Sequence, residues 1–191
     1  MKNNYLPPLI AKANVAAQKI KDHFGALTYE QLNWKPSPQQ WSVGQNVDHL
    51  IVSNRQYFEI FERVQQGVYN QSVWERLPFL PGLTGRMILK AILPDNEKKT
   101  KTFPVFEPAQ SEVPADVVQQ FLQNHEKLIT HIQGLDHLEH RGIVVTSPVS
   151  KFVTYPLEYA CTIVLEHEER HFRQAQRVFQ HKSFPSATAA A

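Results

Sequence analysis

Four long stretches of this chain repeat apolar residues at the 3.6-residue period of an α-helix, and almost nothing between them reads convincingly as a strand. The first covers roughly 5–25, with Leu9, Ile10, Val15, Ile20 and Phe24 at the apolar positions. The second is expected from about Val43 to Gln66. Ser42 is a good N-cap, Gln45 three residues on completes a capping box, and Gly67 suits the C-terminal end. The third, roughly 115–133, opens behind Pro114, carries Val117, Val118, Phe121, Leu128 and Ile132, and ends near Gly134. Thr154 is expected to cap the fourth, from about Tyr155 to His181, with Pro156 tolerated in the first turn. Helices of this length predict an all-α chain, an antiparallel four-helix bundle with long irregular connections. Residues 1–183 are expected as one domain and 184–191 as a disordered tail.

The two long connections carry their own expectations. Residues 68–113 are irregular and proline-rich, with a short apolar helix near Leu83–Leu93; Trp74, Phe79, Leu80, Phe103 and Phe106 are expected to pack on the bundle. Residues 135–153 form the second connection, where "GIVV" is briefly extended. Lys98, Lys99 and Lys101 make a short basic run that reads as a solvated loop, and a formal net charge of +2 offers no polybasic surface for nucleic acid. No stretch is long and apolar enough to span a membrane. The first residues lack a signal-peptide pattern and the single Cys161 has no internal partner, which together predict a cytoplasmic protein.

The strongest chemical signal is "LEHEERHF", in which His167-Glu168-Glu169-Arg170-His171 reads as H-E-x-x-H. Histidines at i and i+4 lie one turn apart on one helix face and can reach one metal ion. The protease reading needs a third ligand downstream, and no Asp or Glu follows His171. The extended motif also fails, because Gln174 and Arg177 stand where Gly and His are required. The pair is nevertheless not on a solvated face. Ala160, Val164, His167, His171, Ala175 and Val178 share one face at about 100° per residue, so both imidazoles interrupt an apolar stripe. Buried without partners they would be costly; a metal, or polar groups from another helix, would satisfy them. Among upstream candidates His49 lies at the edge of the second helix's apolar stripe. His125 and His131 point to different faces, His137 and His140 sit in a polar connection and read as surface histidines, and His23 ends the first helix.

"LNWKPSPQQWSVGQNVDHL" at 32–50 and "HEERHFRQAQRV" at 167–178 together resemble the DinB-like four-helix bundle family, which includes YfiT-like metal-dependent hydrolases. The first segment matches a Pro-containing turn, a Trp-Ser helix start and a His seven residues after that Ser. The second matches a His-x-x-x-His pair followed by Gln three residues on. The resemblance implies a metal triad of His49, His167 and His171. It requires no carboxylate at Glu168, which stays a candidate base or orienting residue; Gln174 continues the histidine face and is a candidate to bond a ligand or a water on the metal.

Three imidazoles suit one divalent ion, zinc, nickel or iron, and leave at least one coordination position open. Such a site can activate water for hydrolysis, or it can hold a thiolate, as thiol-dependent transferases among the relatives imply. The expected partner is therefore a small-molecule substrate, possibly a thiol. A metal-containing binding or stress-response module without turnover, and a bundle with structural histidines, are the alternatives. The apolar stretch 77–93 adds the expectation of a homodimer.

Overall fold

The computed structural model describes residues 2–93, 95, 102–108 and 111–186. The Lys98, Lys99, Lys101 run and residues 187–191 of the tail lie outside the described residues. Among those described, the chain is mostly helical, with one two-stranded sheet. The long helices are α1 (Leu6–Phe24), α3 (Val43–Gln65), α5 (Val117–Gly134) and α6 (Leu157–Phe179). Local chemistry sets several of their ends. The Ser42 hydroxyl accepts from the Gln45 backbone N–H at 3.0 Å, and the Gln45 side chain accepts in return from the Ser42 N–H at 3.3 Å. Gly67 leaves α3 with φ +78°, a backbone region glycine enters without a side-chain clash.

Two elements depart from the sequence expectation. Residues Tyr29–Asn33 form a short helix, α2, capped by Thr28 with Gln31 in the same reciprocal arrangement as Ser42 and Gln45. Thr154 is not a helix cap: it lies in β2 (Ser150–Pro156), which pairs antiparallel with β1 (Val144–Ser147), and α6 starts only at Leu157. The reason is non-local. The Thr154 hydroxyl donates to the Trp74 carbonyl at 3.2 Å and its own carbonyl accepts from Thr84, so the 68–113 connection holds this backbone extended. The short apolar helix of that connection, α4 (Leu80–Ile92), packs on β2 and α6.

The packing of that connection also differs. Phe79 is 92% exposed, Phe103 57% and Trp74 39%, while Leu80 and Phe106 are half-buried. Val15, counted as apolar stripe, faces solvent. His140 is fully buried, with its Nδ1 2.5 Å from the Tyr5 hydroxyl and its Nε2 donating to the Leu135 carbonyl at 2.9 Å. Phe184 packs edge-on against Trp34 and Phe179, and Gln31 donates to the Pro185 carbonyl.

The four long helices pack around a core that falls into two apolar clusters. α3 contacts α5 and α6, and α1 contacts α6 and α5. One cluster takes Leu6, Ile10 and Ala13 from the start of α1, but Tyr57, Phe61 and Val64 from the end of α3. The other takes Ile20 and Phe24 from the end of α1, but Val43, Val47 and Leu50 from the start of α3. By the same comparison α5 runs with α3 and α6 runs with α1. Each long helix therefore has one parallel and one antiparallel neighbour, rather than antiparallel neighbours throughout. Parallel neighbours need a return path along the bundle, which is why a long connection containing α4 separates α3 from α5. Between the clusters lies a polar level: Asn14 on α1, Ser53 and Asn54 on α3, Asn124 and His125 on α5, and residues 166–171 on α6.

Candidate metal centre

His49 on α3 and His167 and His171 on α6 converge at this level. One nitrogen from each lies within 4.8 Å of the other two. The Nε2 atoms of His49 and His167 are 3.3 Å apart, and the His49–His171 and His167–His171 ring centroids are 4.2 and 4.5 Å apart. The Trp41 ring covers the group, with centroids 4.9 Å from His49 and 6.0 Å from His171. His49 and His171 are buried, and His167 is half-buried.

The outward-facing bonds fix the tautomers of two rings. His49 donates from Nδ1 to the Phe106 carbonyl, which leaves its Nε2 a lone pair directed at His167. His171 donates from Nδ1 to Asn46 Oδ1 at 3.2 Å, which likewise leaves Nε2 basic. Burial holds His49 neutral, lowering its pKa to about 4. Burial lowers His167 and His171 further, helped by the neighbouring imidazoles and by the positive charge of Arg170, with Arg177 adding to the effect at His171. Neutral imidazoles oriented by a second hydrogen bond are the form that ligates metals. Two nitrogens on one tetrahedral ion at roughly 2.1 Å lie about 3.4 Å apart, close to the separation of the His49 and His167 donors. The donor set, its protonation and its spacing all fit a divalent ion.

Glu168, between the two α6 histidines in sequence, projects into the core. Its carboxylate is fully buried, accepts from His125 Nδ1 at 2.8 Å and from Asn54 Nδ2 at 3.1 Å, and its hydrogen bonds among the described residues do not include the triad. His125 Nε2 in turn donates to Asn14 Oδ1 at 2.9 Å. Both ring nitrogens of His125 face acceptors, an arrangement that favours the protonated ring. Burial pushes its pKa down, but the hydrogen bond and charge of Glu168 outweigh that and raise it. One polar side chain from each long helix thus joins a hydrogen-bonded network that runs from buried Asn54 and Glu168 through His125 to exposed Asn14, which sequence reading missed. The available signal was a polar residue beside the buried stripe in every long helix, at matching distances from the two apolar clusters. Gln174 is half-buried on α6 and makes no hydrogen bond among the described residues. His23 and His137 are exposed, and His131 stacks on Phe58.

Fold and site define a helical protein with a three-histidine cluster that could hold a metal ion, and no described helix is long and apolar enough to cross a membrane. A family model described as the DinB superfamily matches residues 14–175, and the chain belongs to that superfamily. No curated protein and no solved structure matches the chain.

Proposed function

We propose that this is a divalent-metal enzyme acting on a small molecule, with zinc, nickel or iron held by His49, His167 and His171. The observation that carries the reading is the convergence of three neutral imidazole nitrogens within 4.8 Å, two of them with their second ring nitrogen already bonded outward. No fourth protein donor stands among the described residues of the cluster, so at least one position is left for substrate, as in catalytic rather than structural sites. Bound there, a divalent ion supplies a Lewis acid that activates water near neutral pH or holds a substrate thiolate.

The chain's own residues divide the work. Phe106 and Asn46 orient His49 and His171 and keep their inward nitrogens unprotonated. Trp41 shields two of the rings from water. Glu168, kept above as a candidate base, is given a positioning role here, because its oxygens already accept from His125 and Asn54. Gln174, half-buried on the histidine face of α6, is assigned to bond a ligand or a water on the metal.

The same reading takes residues 1–183 as a single four-helix bundle domain acting in the cytoplasm. It also takes the 77–93 stretch, with Phe79, Leu83 and Met87 exposed, as a homodimer contact. Light scattering showing a monomer at micromolar concentration removes the dimer. Elemental analysis of untagged protein, followed by hydrolase and thiol-transfer assays on the loaded form, tests the function. Turnover by either assay supports the enzyme. Stoichiometric metal without turnover makes the protein a binding module, and an absence of metal removes the reading.

A further inference from the structure

Ser53 lies one turn after His49 on α3, at the polar level of the bundle, and is 2% exposed. Its hydroxyl oxygen is 3.4 Å from His49 Nε2. Because His49 donates from Nδ1 to the Phe106 carbonyl, Nε2 carries no proton, and the direction of the contact is fixed: Ser53 donates. This is the hydroxyl's only hydrogen bond among the described residues, and it is long for an O–H donor. The usual partner of a hydroxyl inside a helix is the carbonyl four residues earlier. Thr84, Thr130 and Thr162 each donate to that carbonyl, at 3.0, 2.9 and 2.7 Å. Ser53 does not, and its hydroxyl is turned to the histidine cluster instead.

An unprotonated ring nitrogen has one lone pair to offer. At His49 Nε2 that pair already meets two neighbours, Ser53 Oγ and, at 3.3 Å, His167 Nε2. It is also the pair through which His49 would hold an ion. So engaged, Nε2 accepts nothing more, and Ser53 would be a buried donor without an acceptor, which folded proteins avoid.

We propose that Ser53 is a ligand-binding residue of the metal centre, its hydroxyl donating to the ligating atom of the molecule at the open position. The inference rests on the metal reading above and names a substrate class for that site. The substrate binds through an atom that keeps a lone pair once bound, as an oxygen anion or a thiolate does and an amine or imidazole nitrogen does not. The bond is charge-assisted for an anion, so it favours the deprotonated form of the bound group. A serine that only fills space in the core would be indifferent to what binds.

The test uses azide and imidazole as probes. Each is titrated into the cobalt-substituted full chain, wild type and Ser53→Ala, and followed by visible absorption, with metal content measured in parallel. Both probes ligate through nitrogen, but only azide keeps a lone pair on the bound atom. Ser53→Ala should weaken azide by about tenfold or more, with imidazole affinity and cobalt content no lower than in wild type. An unchanged azide affinity in Ser53→Ala, an equal loss for imidazole, a loss of cobalt from Ser53→Ala, or a cobalt-loaded wild type that binds no azide overturns the proposal. Wild type that takes up no cobalt instead overturns the metal site on which the inference rests.

Discussion

His167 and Glu168 are adjacent on α6, yet they belong to two polar regions of opposite character. In the histidine cluster, ring nitrogens face one another and the outer nitrogens of His49 and His171 are satisfied by Phe106 and Asn46. In the core network, both nitrogens of His125 face acceptors and Glu168 accepts from two residues. The first arrangement turns lone pairs toward a shared centre and suits an added cation. The second favours a proton of its own on His125 and suits a rigid joint between helices. Histidine alone does not distinguish a ligand from a structural pair; what its second nitrogen meets does.

The comparison can be broken most directly by removing ligands. Divalent ion should raise the melting temperature of wild type, since a ligand bound only by the native state stabilises it by mass action. His167→Ala or His171→Ala should abolish that rise, with affinity down by more than about a hundredfold. If either keeps the rise, the cluster is not the binding site.

The next effect is on folding. Glu168→Ala leaves His125 and Asn54 buried without their shared partner and should cost about 3–5 kcal/mol in urea unfolding of the metal-free protein. His49→Ala, which removes a ring whose neutral form is already costly to bury, should cost less. A reversed order would give Glu168 and His49 each other's roles.

Acid and alkali should then separate the two regions. His49 has a pKa of about 4 in the fold against an ordinary value of 6.5. Between those values the unfolded chain binds a proton that the folded chain refuses. Metal-free stability should therefore fall as pH drops through this window, by on the order of 3 kcal/mol from this ring, and His49→Ala should flatten the decline. His125 is shifted the other way. Its contribution is full below the ordinary histidine range and is lost as pH rises through its folded pKa, and His125→Gln should remove that loss. Unfolding curves across pH that show the same slope in both variants would contradict the contrast. The smallest effect belongs to Gln174→Ala, which should change metal-free stability by less than about 0.5 kcal/mol, because no described residue bonds it.

The features legible in the sequence were those written in local chemistry. The Ser42–Gln45 box set the start of α3, and the four-residue spacing of His167 and His171 put both rings on the inner face of α6. His49 needed the family resemblance, because its own phase placed it only at the edge of a stripe. What stayed hidden was fixed by distant partners. Thr154 carries a good cap side chain, but its hydroxyl donates to the Trp74 carbonyl and its own carbonyl accepts from Thr84, some 70 to 80 residues away. Glu168 reads as part of a zinc word, but it pairs with His125, 43 residues upstream on another helix. His140 sits among polar neighbours in sequence, yet it is enclosed by Tyr5 and Leu135. The Thr28–Gln31 box was a local signal of the same kind as Ser42–Gln45, masked by the brevity of the five-residue helix it starts.

The central claim is that His49, and not Glu168, completes the centre with His167 and His171. Metal content of wild type, Glu168→Gln and His49→Ala, each purified untagged and without added metal, tests it most directly. One divalent ion per chain is predicted in wild type and in Glu168→Gln, with none retained by His49→Ala. Full occupancy in His49→Ala together with loss in Glu168→Gln would contradict the account.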